Sequence, residues 1–120
     1  MASTTVTLHR WDDIPAEQIN PTISRQYITA DRVTVARFEL KRGAVVPQHS
    51  HENEQVSYII SGALKFMFDG REIVVRGGEV LQISPHVPHA AEAIEDTLAI
   101  DVFSPVRQDW VNKTDNYFQR

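Results

Sequence analysis

The sequence predicts an all-β sandwich or barrel, and three observations carry that reading. From Val33 onward, short segments rich in β-branched and aromatic residues follow one another. Turn signals separate them at near-regular intervals, the spacing of many short strands. One of these signals, Asp69-Gly70 between segments 64–68 and 73–75, is the dipeptide that a two-residue hairpin with positive φ favours.

Residues 1–32 are mixed. Trp11 and Ile14 surround Asp12-Asp13, Pro15 and Pro21 interrupt, and neither strand nor helix periodicity lasts. An N-terminal arm packed on the barrel is expected here, with a short helical turn after Asp13. At 33–40, Thr34, Ala36, Phe38 and Leu40 alternate with Val33, Val35, Arg37 and Glu39, as in a strand with two unlike faces. Turn signals then fall at Gly43, Ser61-Gly62, Asp69-Gly70, Gly77-Gly78, Pro85 to Pro88 and Glu95-Asp96. They delimit strands at 56–60, 64–68, 73–75, 80–83 and 98–103, and a barrel over 33–110. Residues 111–120 form a polar tail with Val111, Tyr117 and Phe118 interspersed, expected to lie against the barrel or a second subunit.

A chain of 120 residues has room for one domain, and its 42% hydrophobic and 23% charged residues are those of a folding chain. The net charge is −4 and the basic residues are scattered, so no nucleic-acid partner is expected. No apolar run approaches the ~18 residues of a membrane span, and the start lacks the layout of a signal peptide, so no membrane association and a cytoplasmic location are expected. Cysteine is absent, which excludes disulfides, thiolate metal sites and a cysteine nucleophile. Short all-β domains often cover their edge strands by pairing, so a homodimer is expected.

Of five histidines, His49, His51 and His89 fall at turn-flanked strand edges. Side chains at i and i+2 of a strand share a face about 6–7 Å apart, so His49 and His51 can converge on one ion. Gln55 would add an amide oxygen from the start of the next strand, and His89 would arrive from a separate hairpin. Three imidazoles and one oxygen suit a divalent Zn, Fe, Mn or Ni ion with positions open to water or substrate. A lone His-x-His is also common on surfaces, and Gln55 has the alternative of bonding within its turn. No ligand in this set is anionic, so the ion would keep its full charge, attract an anionic substrate and favour non-redox chemistry. His86 sits at a turn position suited to positive φ and His9 in the arm, so neither is placed among the ligands.

On the last strand, Ala99, Asp101 and Phe103 share a face. An Asp in an apolar strand is unfavourable to bury unless it is paired or used. If that face is interior, Asp101 and Phe103 line the cavity that holds the metal, and Arg107, beyond the Ser104-Pro105 turn, reaches back over its mouth. Arg107 would clamp a carboxylate, Phe103 pack on a carbon skeleton and Asp101 move protons. The alternatives are an Asp101 paired with Arg107 or a backbone amide, a Phe103 that fills the core, and a solvated Arg107.

Two segments resemble known motifs. Gly43, His49-Ser50-His51, Gln55 and Gly62 have the spacing of the first cupin motif, with Gln where most cupins carry Glu. Gly78-Glu79-Val80-Leu81-Gln82-Ile83-Ser84-Pro85-His86-Val87-Pro88-His89 is similar to the second, with Ser84 for a frequent Pro and His86 for a frequent Gly. The resemblance implies a double-stranded β-helix, or jelly-roll, barrel. The run 101–110, joined to the His-Ser-His motif, Gln55 and the Ser61-Gly62 turn, resembles the pectin-degradation cupins of the KdgF type over roughly residues 22–110. That likeness implies conversion of 4,5-unsaturated uronate monosaccharides to linear keto forms. It also implies a metal on His49, His51, His89 and Gln55, with Asp101, Phe103 and Arg107 as the catalytic constellation. Two other readings of the same site are a cupin dioxygenase acting on a small diketone or phenol and a sugar- or metabolite-binding cupin without turnover.

Overall fold

The computed structural model describes residues 5–119, the side chain of Gln119 excepted; residues 1–4 and Arg120, the outer ends of the expected arm and tail, lie outside it. Ten strands follow in order: β1 (Glu17–Asn20), β2 (Ile23–Thr29), β3 (Thr34–Leu40), β4 (Val45–His49), β5 (Glu54–Ser61), β6 (Ala63–Phe68), β7 (Arg71–Arg76), β8 (Val80–Ile83), β9 (His89–Ala93) and β10 (Thr97–Ser104). A short helix α1 (Gln108–Val111) and a 3₁₀ turn at Tyr117–Gln119 complete the chain. The strands form a six-stranded sheet ordered β1-β2-β3-β10-β5-β8 and a four-stranded sheet ordered β4-β9-β6-β7. All neighbours are antiparallel. This is a jelly-roll barrel.

Alternation on each strand decides which side chains enter the core. On β3 the buried residues are Thr34, Ala36, Phe38 and Leu40, the set that the sequence pattern groups together. Ala36, Phe38, Ile59 and Ala99 from one sheet meet Leu64, Phe66, Val75 and Ala91 from the other. Trp110 of α1 is 1% exposed and plugs one end of this core. Its ring lies 5.1 Å from both Tyr27 and Phe103. Gly62, between β5 and β6, has φ +92°, and a Cβ there would collide with the Asp96 carbonyl and Thr97. No helix among the described residues is long and apolar enough to cross a membrane.

The segment before Val33 differs from the irregular arm expected of it. β1 and β2 extend the six-stranded sheet, so pairing runs beyond the expected 33–110 barrel. The helical turn precedes Ile14, at Trp11–Asp13, and does not follow Asp13. β2 points Arg25 inward at 3% exposure, which breaks the apolar alternation that would have marked a strand. The guanidinium is satisfied by Glu17 at 2.8 Å and Asp115 at 3.0 Å and stacks over Trp110. Strands β4 and β9, expected only as strand edges carrying the histidines, run over Val45–His49 and His89–Ala93.

Candidate metal centre

Four strand ends meet at one mouth of the barrel. His49 closes β4 and His89 opens β9, and the two are register partners. Gln55 near the start of β5 faces Phe103 near the end of β10, and Ser57 faces Asp101. The i, i+2 geometry proposed for His49 and His51 does not hold, because β4 ends at His49. His51 lies in the following loop, and its carbonyl accepts a 2.8 Å hydrogen bond from the His86 amide, which ties that loop to the 84–88 turn. His86 is exposed with φ 69°, as its turn position requires.

The three imidazoles nonetheless converge, with ligand atoms within 4.8 Å of one another, the one such cluster among the described residues. Each ring is aimed by a backbone carbonyl two residues away. Nδ1 of His49 lies 2.9 Å from the Pro47 oxygen, that of His51 3.1 Å from Asn53, and that of His89 2.8 Å from Val87. These contacts assign the proton to Nδ1 and leave every Nε2 a lone-pair donor, the tautomer that metal-binding histidines adopt.

Two atoms then lack a partner of the right kind. His89 Nε2 is buried and unbonded. His51 Nε2 sits 3.0 Å from Gln55 Oε1, a contact between two lone pairs, while Gln55 Nε2 donates to Ser57 Oγ at 2.9 Å. A divalent cation among these donors satisfies both, so His49, His51, His89 and Gln55 fit a metal.

Electrostatics agree with a site poised for a cation. Burial, reinforced by the neighbouring His89, lowers His49 to about 3. Burial and then the Arg107 guanidinium lower His51 to about 4. Burial lowers His89 as well. All three rings are therefore neutral at pH 7.

Asp101 and Phe103 line the cavity beside His49, Gln55 and His89. Burial raises the Asp101 carboxyl to about 6, against the opposing hydrogen bond of Ser57 and the charge of Arg107. Arg107 is 1% exposed and makes no ion pair with Asp101. Its Nε and Nη2 grip Asp109 at 2.9 and 2.7 Å, and its guanidinium lies over Phe103 and Trp110 at 4.6 and 4.4 Å. Burial opposes its charge, and Asp109 overrides that opposition. The solvated arginine and the Asp101–Arg107 pair, both open from sequence, are thus corrected: the partner of Arg107 is Asp109.

Three contributors escaped the sequence reading. Ser57 links Gln55 to Asp101, and its signal was its place two residues after Gln55 on one strand face. Asn53, 2% exposed, donates from Nδ2 to the Pro105 and Val106 carbonyls while its own carbonyl holds His51, joining the histidine loop to the Arg107 turn. Tyr117 stacks on His49 at 4.0 Å with a 5° interplanar angle, its hydroxyl 3.5 Å from Arg107 Nη2. Nothing local in the tail sequence signals that contact.

Comparison with known proteins agrees with this geometry. The cupin-domain family model matches residues 36–103. KdgF from Halomonas sp. is 30% identical with a TM-score of 0.76, covering 82% of this chain and 94% of its own. An RmlC-like cupin from Shewanella frigidimarina is 27% identical with a TM-score of 0.80, covering 88% and 96%. Oxalate decarboxylase from Bacillus subtilis shares the fold at 19% identity and a TM-score of 0.74, over 87% of this chain and 31% of the other. No curated protein matches the sequence. A matched domain covering more than half the chain, with the histidine cluster at its mouth, makes this protein a member of the cupin family, of the KdgF-like kind.

Proposed function

We propose that this cupin is a metal-dependent isomerase that converts 4,5-unsaturated uronate monosaccharides to linear keto acids. One observation carries the reading: the Asp101 carboxyl shares a cavity with His49, His89 and the Gln55 amide, His51 completes the imidazole cluster, and burial pushes that carboxyl up to about 6. The structural likeness to KdgF supports it. The substrate is a cyclic enol ether with a C4=C5 bond and a C5 carboxylate. A divalent ion on His49, His51, His89 and Gln55 would supply Lewis acidity toward the substrate oxygens.

The chain's own groups do the rest. Ionised Asp101 takes the proton of the C1 hemiacetal hydroxyl, the ring C1–O5 bond breaks as the C1 carbonyl forms, and the C5 enolate is released. Asp101, now neutral, returns the proton at C4, giving the 5-keto acid with no net gain or loss of atoms. Arg107 shares its guanidinium between Asp109 and the substrate carboxylate, and Phe103 walls the carbon skeleton. The test is to follow loss of the enol-acid absorbance of an unsaturated uronate, with and without chelator, beside an oxygen electrode. Chelator-sensitive decay without oxygen uptake is expected. Oxygen consumption would instead mark a dioxygenase, and binding without decay a non-catalytic cupin.

A further inference from the structure

We infer that Ser57 is a positioning residue that locks the Gln55 amide with its oxygen toward the metal site. The inference rests on the metal centre of the proposed function and is independent of its substrate. An amide has two unlike ends of nearly the same shape, and only the oxygen end ligates a cation. Turned over, Gln55 would place its NH₂ on His51 Nε2, now 3.0 Å from its oxygen. That would be a satisfied hydrogen bond, and it would occupy the lone pair that the ion needs.

Ser57 prevents the turn. It is 0% exposed and stands opposite Asp101 in the β5–β10 register, where its hydroxyl favours the ionised form of that carboxyl. A carboxylate only accepts, so the hydroxyl proton points to Asp101 and an oxygen lone pair is left facing Gln55. That lone pair accepts Nε2–H at 2.9 Å, and the opposite orientation would set two acceptors against each other in a buried place. The two strands thus carry an ordered path from the Asp101 carboxylate through Ser57 to the Gln55 oxygen.

The test is a double-mutant cycle read by Zn²⁺ affinity, measured by competition with a coloured chelator. Ser57→Ala should weaken Zn²⁺ binding about tenfold, within the 10–100-fold range for outer-shell partners of metal ligands. A carboxylate presents oxygen at both ends, so in a Gln55→Glu background the same Ser57→Ala change should alter affinity less than about twofold. Ser57→Cys keeps the side-chain shape and loses most of the hydrogen bonding, and it should follow Ser57→Ala in both backgrounds. An equal loss in both backgrounds, or no loss in either, overturns the role of Ser57 while leaving the metal centre standing. A wild-type chain that takes up no Zn²⁺ overturns the centre, and this inference with it.

Discussion

At the scale of single residues, Asp101 is the group on which the proton transfers of the proposed reaction turn. Burial raises it to about 6, so it is ionised and able to accept a proton at pH 7, and it is protonated as pH falls through about 6. As the base that opens the hemiacetal, it must start ionised. kcat/KM for the unsaturated uronate should therefore decline below about pH 6. Asp101→Asn should lower kcat by about 10²–10⁴-fold while Zn²⁺ content and ligand binding persist. Retained turnover in Asp101→Asn would remove the carboxyl from the reaction. This residue was legible because a lone acid in an apolar strand demands an explanation, and His49, His51 and His89 were legible through the spacing of two motifs. Tyr117 and Asn53 were not: their importance lies in contacts with His49 and with the Pro105 and Val106 carbonyls, which no local pattern encodes.

At the scale of elements, legibility followed the strength of the local pattern. β3, β6 and β8 alternate or cluster apolar residues between clear turns, and their segments were recognised. β9 reads His-Ala-Ala-Glu-Ala, a composition with little strand preference, and it is extended because β4 and β6 flank it on both sides. β2 hides behind Arg25, whose partner Asp115 lies 90 positions away. The same tail carries Tyr117 into the mouth of the site. Its ring lines the cavity shared by His49, Gln55, His89 and Asp101. In the proposed reaction the substrate carboxylate takes the place of the Tyr117 phenol at Arg107 Nη2, so binding draws the ring away from His49. Where the open arrangement is about 10% of the population, apparent affinity is reduced about tenfold. Tyr117→Ala should accordingly lower KM for the uronate by up to about tenfold with kcat little changed. A raised KM would show instead that the ring is a wall the substrate needs.

At the scale of the whole molecule, the metal site sets how stability responds to pH. His49 and His51 are lowered to about 3 and about 4, and His89 is lowered too. In the unfolded chain these rings protonate near 6.5. As pH falls below that value, the unfolded state binds protons that the metal-free folded state refuses, so stability drops with acidification until the folded pKa values are reached. Asp101 works in the opposite sense. Its folded pKa is raised to about 6 from 3.8, so between those values the folded state holds the extra proton. His49 and His51 together outweigh Asp101 by about one proton near pH 5, and His89 adds to the uptake in the same direction. The urea midpoint of the metal-free protein should therefore fall steadily from pH 7 to pH 5. His49→Gln, which keeps a polar side chain and removes one titrating ring, should make that decline shallower by about one proton. A midpoint that stays flat over this interval would mean the rings protonate freely in the fold. The mouth of the barrel would then be open to water and would not be the dry pocket that holds three neutral imidazoles ready for an ion.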